Sequence, residues 1–226
     1  MDPGLLPVLG LGFLFGLQHA TDPDHVVAVA TIVSRTRRFD AGALIGAFWG
    51  VGHTATIVTV GMAIILFNVT VTRSVGLSLE LVVAVMLLAL GVLRIVRLVR
   101  DHDREAEPPA PGPMGLRSAL GAVGRGQAIR SMIIGLVHGL AGSAAVALLV
   151  LSAVKSPYAA GAYLFLFGLG TIVGMTAITA VLSLPFRIPL LMLNRGLAIG
   201  TGVGSFGFGL FLIVQIGFID GLFLRH

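Results

Sequence analysis

The sequence predicts an all-α polytopic membrane protein with about six transmembrane helices in an inverted 3+3 repeat, the first helix broken near Asp22-Pro23. Three observations carry this. Hydrophobic residues make up 56% of the chain and charged residues only 11%, against about 25% charged in an ordinary soluble domain. Apolar runs recur along the whole length, separated by short polar stretches. The 31 glycines suit helices that approach one another closely inside a bilayer.

The apolar runs fall at 4–20, continuing as a broken helix to 34, then at 40–67, 76–97, 130–152, 158–183 and 190–217. Each can cross a hydrocarbon core of about 30 Å, which takes roughly 20 helical residues. The start, Met1-Asp2-Pro3, has no basic stretch, so the first run reads as a retained helix rather than a cleaved leader. Orientation follows from the basic residues. Arg35, Arg37 and Arg38 lie in the first loop. Arg94, Arg97, Arg100, Arg104, Arg117, Arg125 and Arg130 lie in or beside the third, and Arg187 and Arg195 in the fifth. Only Arg73, Lys155 and Arg225 fall on the other side. The positive-inside rule puts the first group in the cytoplasm and both termini outside it. Because the basic residues follow the loops and form no soluble face, nucleic acid is not expected as a partner.

The stretch "DHDREAEPPAPGPMG", 101–115, is rich in charge and proline and reads as a flexible cytoplasmic linker. The chain then divides into a three-helix unit at 1–100, a linker at 101–128 and a second, inverted three-helix unit at 129–226. His102 between Asp101 and Asp103 reads as part of the solvated linker. There is no cysteine, which excludes disulfides and thiolate metal sites.

The two halves resemble each other. "GLQH" at 16–19 matches "GLVH" at 135–138, "FWGVGHT" at 48–54 aligns with "LFGLGTI" at 166–172, and "GLSLE" at 76–80 with "GLAIG" at 196–200. With three spans per half, the second half inserts upside down. Transporters built this way hold their substrate near the midplane, at the interface of the repeats.

The chemistry concentrates in "HATDPDH", 19–25. His19, Asp22 and His25 are spaced by three, so a helix would gather them on one face. Asp24 would point elsewhere on an ideal helix. Pro23 lacks an N–H and disrupts the turn, freeing the carbonyl of His19 and allowing Asp24 to be aimed back toward the same cavity. Carboxylates in a span cost roughly 2.5–3.5 kcal/mol each on insertion scales, and every Lys and Arg sits toward the end of an apolar run or in a loop, none mid-span to offset them. A bound cation, or protons, must do so. Imidazole with carboxylate suits Ni²⁺, Co²⁺, Zn²⁺ or Fe²⁺. His53 in the second span and His138 in the fourth add two more imidazoles, His138 at the repeat position of His19.

Blander readings compete. A single histidine on an apolar helix is ordinarily a hydrogen-bonded structural donor, and Asp22 or Asp24 would also serve as an N-cap for a helix starting at His25. Thr54, Thr56 and Ser143 read as hydroxyls bonded to backbone, Glu80 as interfacial and Trp49 as packing.

"HATDPDH" fits the pattern of a histidine, four residues, then Asp-His, and resembles the signature of the nickel/cobalt transporter family within the wider NicO group, which reads close to "HAxDADHI". Here Pro23 and Val26 replace the alanine and the isoleucine. "GVGHTAT", 50–56, resembles the family's second-span motif. "HGLAGSAA", 138–145, resembles a short branch described as nickel permeases or urease-accessory membrane proteins. The resemblance implies a high-affinity Ni²⁺ or Co²⁺ permease in which His19, Asp24, His25 and His53 serve the metal path. Larger members have eight spans and an acidic motif in the second half; this chain has neither, and a related branch exports the same metals.

The expected function is therefore a secondary transporter of Ni²⁺, and of Co²⁺ by the same chemistry, acting in uptake. His19, Asp22, Asp24, His25, His53 and His138 are the candidate metal residues. The metal is substrate, and no cofactor and no catalytic residue is expected. A GxxxxGK[ST] stretch is absent, so ATP drive within this chain is not expected. Expected partners are the metal ion and the bilayer, with a homo-oligomer and a cytoplasmic metallochaperone as further candidates. Three rivals stand beside this reading: an exporter of the same metals, a proton-coupled transporter of another small substrate that uses the histidines as relays, and an intramembrane metalloenzyme. "HExxH" is absent, which weighs against the last.

Overall fold

The computed structural model describes residues 5–34, 36, 38–69, 71–100, 115–153, 156–187 and 191–224, with backbone alone at 5–6, 142–153, 187 and 191–194. Among them there is no strand. Seven helices follow in order: α1 Leu5–His19, α2 Pro23–Val33, α3 Phe39–Phe67, α4 Arg73–Arg100, α5 Leu116–Ala153, α6 Pro157–Ser183 and α7 Leu191–Val214, the last running into a π-helical turn, Gln215–Ile219.

Among the described residues, four stretches are long and apolar enough to cross a membrane: Phe39–Phe67, Arg73–Arg100, Pro157–Ser183 and Arg195–Ile219. Their outer surfaces carry large apolar side chains, among them Val51, Val85, Phe165 and Phe211. Such a surface suits lipid and not water. The expected first span is divided into α1 and α2, and the expected fourth lies within α5, whose side chains beyond 141 fall outside the described set.

The break in the first span is real, but its hydrogen bonding differs from the sequence expectation. Pro23 opens α2, where its missing N–H costs nothing. The His19 carbonyl is not left free: the Asp22 N–H donates to it at 3.1 Å, in a tight turn where the Thr21 N–H also donates to the Gln18 carbonyl at 2.8 Å. Asp22 occupies the N-cap position of α2 without a side-chain capping bond.

The helical part of α5 reaches back to Leu116, so residues 116–128, expected within the linker, are helical. Gly124 interrupts it with φ 66° and ψ 159°, a backbone conformation open to glycine. Arg117, Arg125 and Arg130 therefore sit on helix and not in a loop, and Arg94 is buried in the last turns of α4. The remaining linker, with His102, lies outside the described residues. Arg38 forks onto Asp40, with Nη2–Oδ2 at 2.6 Å and Nε–Oδ1 at 3.0 Å, and its Nη1 donates to Ser118 Oγ at 2.8 Å, tying the start of α3 to the start of α5.

In the centre, α3 packs between α5 and α6, α1 packs on α6, and α4 packs on α7. Glycines set these approaches. A Cβ on Gly16 would strike the Phe167 carbonyl, and one on Gly135 the Trp49 carbonyl. A Cβ on Gly52 would strike the Met132 carbonyl, and one on Gly170 the Phe13 carbonyl. These close approaches join α1 to α6 and α5 to α3, and Gly16 and Gly135, Trp49 and Phe167, and Gly52 and Gly170 are the pairs that the alignment of "GLQH" with "GLVH" and of "FWGVGHT" with "LFGLGTI" sets together. Backbones brought this near gain dispersion contacts that larger residues would prevent.

Candidate metal site

Four helices bring their chemistry to one point. The end of α1 carries His19, the start of α2 carries Asp24 and His25, the middle of α3 carries His53, and α5 carries His138. His25, His53 and His138 are 2%, 0% and 2% exposed. His25 and His138 have ring centroids 4.2 Å apart, His25 and His19 4.7 Å, and His25 and His53 5.0 Å. His25 stands at the centre of the cluster.

The carboxylates hold the rings. Asp22 Oδ2 lies 2.7 Å from His19 Nδ1. Asp24 Oδ1 accepts the His25 backbone N–H at 3.0 Å and faces His25 Nδ1 at 3.1 Å, while its Oδ2 faces His138 Nε2 at 2.8 Å. An ionised carboxylate only accepts, so each facing ring nitrogen carries the hydrogen. His19 then presents Nε2 as a lone pair, and it meets His53 Nε2 at 3.1 Å. His25 Nε2, His53 Nδ1 and His138 Nδ1 are buried and make no hydrogen bond. Buried imidazole nitrogens without partners are rare in a finished core.

Two sets of donor atoms come within 4.8 Å of one another: His19, His25 and His53, and Asp24, His25 and His138. They share His25. In the first set the ligands are three imidazoles, two of them held through Nδ1 by a carboxylate, the support that metal-binding histidines ordinarily have. In the second, a carboxylate joins two imidazoles. Asp22, with a side chain 46% exposed, belongs to neither set and touches only His19. The spacing argument had grouped it with His19 and His25. The tight turn at 20–22 instead carries it outward, while Asp24, off the face of an ideal helix, comes inward.

Trp49, read from sequence as packing, is fully buried and forms the wall of the cluster. Its ring stacks on His25 at 6.1 Å and meets His138 edge-on at 5.6 Å. The signal for it was one helical turn away: Trp49 precedes His53 by four residues on α3, so the two share a face. Phe167 stands against His19 at 5.4 Å. The hydroxyls of Thr54 and Thr56 donate to the carbonyls of Gly168 at 3.0 Å and Leu136 at 2.9 Å, so they serve helix packing, as expected. Glu80 is exposed on α4, and the Ser143 side chain lies outside the described residues.

Apolar spans around a buried cluster of imidazole and carboxylate define a class: a multi-pass membrane protein with transition-metal ligand chemistry in its interior. The model of the NicO family, described as high-affinity nickel-transport protein, matches residues 5–110, which contain His19 to His53. The urease accessory protein UreH of Bacillus sp. (strain TB-90) is 34% identical over 97% of this chain and 96% of its own length. Two Arabidopsis thaliana proteins, chloroplast proteins FOR GROWTH AND FERTILITY 1 and 2, are 28% and 27% identical over 92% and 90% of this chain, which spans 62% and 55% of their lengths. No solved structure matches. The chain belongs to the NicO family of nickel-transport proteins. It is a membrane transporter and not an enzyme, and the metal is its substrate rather than a resident cofactor.

Proposed function

We propose that the chain is a secondary transporter that moves Ni²⁺, and Co²⁺ by the same ligand chemistry, into the cytoplasm across the inner membrane of a prokaryotic cell. The observation that carries this reading is the pair of three-donor sets within 4.8 Å that share His25. The ion enters at His19, His25 and His53, on the side where Asp22 is exposed, and passes to Asp24, His25 and His138. Three protein donors leave a coordination place open at each position, which a carrier needs and a structural site does not. His25 serves both positions, so the handover breaks few bonds at once.

The halves 1–100 and 129–226 act as inverted repeats that rock about this cluster. Support comes from the matched glycine approaches and from the paired contacts of His19 with Phe167 and His138 with Trp49. The twelve basic residues grouped by the sequence argue for cytoplasmic loops at that end. The name of the urease accessory relative favours delivery of nickel toward a nickel enzyme, received by a metallochaperone at the cytoplasmic end.

The test is Ni²⁺ binding and radiotracer uptake in proteoliposomes, wild type against His25→Ala, with Co²⁺, Zn²⁺ and Mn²⁺ as competitors. Saturable uptake that the variant loses supports the reading. Metal binding and uptake unchanged in the variant would end it. Uptake only against the expected orientation favours the exporter.

A further inference from the structure

A cavity lies at the basic end of the bundle. It encloses about 220 Å³ between the end of α2, the start of α3, the last turns of α4 and the first leg of α5. Small-molecule pockets run to about 300–1,000 Å³, so this one suits a headgroup-sized ligand. Arg94, Arg97 and Arg130 line it together with Gln127 and Thr36, and among the described residues no Asp, Glu or His lines it. Asp40, one residue from the lining Ala41, is held by the Arg38 fork.

The chemistry is that of an anion site. Guanidinium groups bind phosphate through paired, charge-assisted hydrogen bonds. Arg94 is fixed by packing: a Cβ on Gly202 of α7 would stand 3.2 Å from its Cγ, so the glycine gives its stem the space it uses. Depth agrees. The 28 residues of α4 span about 42 Å at 1.5 Å per residue, longer than the roughly 30 Å core and matching the 40–45 Å that includes the headgroup layers. Arg94 and Arg97 lie in its last 9 Å or so, close to where such a helix enters the headgroup layer.

We propose that this cleft binds a phosphate-bearing anion at the basic face of the bundle, a site separate from the metal cluster. The test uses the full chain in neutral detergent and follows thermal unfolding during titration with dioleoylphosphatidylglycerol, dioleoylphosphatidylcholine or inorganic phosphate. Wild type is compared with Arg97→Gln and Arg130→Gln, whose Ni²⁺ binding is expected to be retained and reports their fold. Phosphatidylglycerol is expected to raise the midpoint, and each substitution to weaken its apparent affinity about fivefold. A response to phosphatidylglycerol without one to phosphate assigns a lipid headgroup, and a response to both assigns the phosphate group from either source. No response to either anion, a response matched by phosphatidylcholine, or one unchanged in both variants overturns the proposal.

Discussion

Asp24 and His138 lie 114 positions apart and meet at 2.8 Å, Oδ2 to Nε2. The contact joins the broken first span to α5, and the same carboxylate also holds His25. One side chain thus orders two imidazoles from different halves of the chain.

His25 belongs to both donor sets, so it is the residue whose loss should be least tolerated. His25→Ala is expected to weaken Ni²⁺ binding by at least about a hundredfold, since loss of even an outer supporting partner costs 10–100-fold. Calorimetric titration reads this directly. A tenfold loss or less would mean that the two sets do not share the ion.

The two aspartates should separate. Asp24→Asn removes a ligand and the support of two rings, whereas Asp22→Asn removes one exposed support of His19. Expected losses in Ni²⁺ affinity are about a hundredfold and about tenfold. Equal losses in parallel titrations would contradict the division of roles.

Protons compete with the metal for imidazole nitrogen. Ligands must be deprotonated to bind, so affinity should fall as the pH is lowered. Binding isotherms from about pH 7.5 to about 4 read the fall. An affinity unchanged across that whole range would contradict imidazole ligation.

Glycine packing should be equally intolerant in both halves. Gly52→Ala and Gly170→Ala each drive a methyl into a facing carbonyl, at Met132 and Phe13. Each should destabilise the folded protein by about 1–3 kcal/mol, the usual range for overpacking. Thermal unfolding in detergent measures it. A large loss in one variant and none in the other would break the correspondence between halves.

The chain has no cysteine, so single introduced thiols report topology cleanly. Ala106→Cys should react with an impermeant maleimide only in inside-out vesicles. Labelling in intact cells would reverse the orientation and, with it, the direction of transport.

The apolar runs by themselves determined the class, because a bilayer demands long stretches with few charges and internally bonded backbone. They also located the break at Pro23, where a missing N–H is a local property. His19, His25, His53 and His138 were legible as candidates because imidazoles inside apolar helices are costly and conspicuous. Three things were decided only in the tertiary structure. Asp22 and Asp24 exchanged prominence, since helical periodicity cannot be carried across a tight turn in which the Asp22 N–H takes the His19 carbonyl. Trp49 became the wall of the site, because what an aromatic ring faces depends on the helix packed opposite. The Arg94, Arg97 and Arg130 cleft arose from the packing of α2, α3, α4 and α5 around one space. The sequence reported which residues carry chemistry; close approach through glycine decided which of them share a point in space.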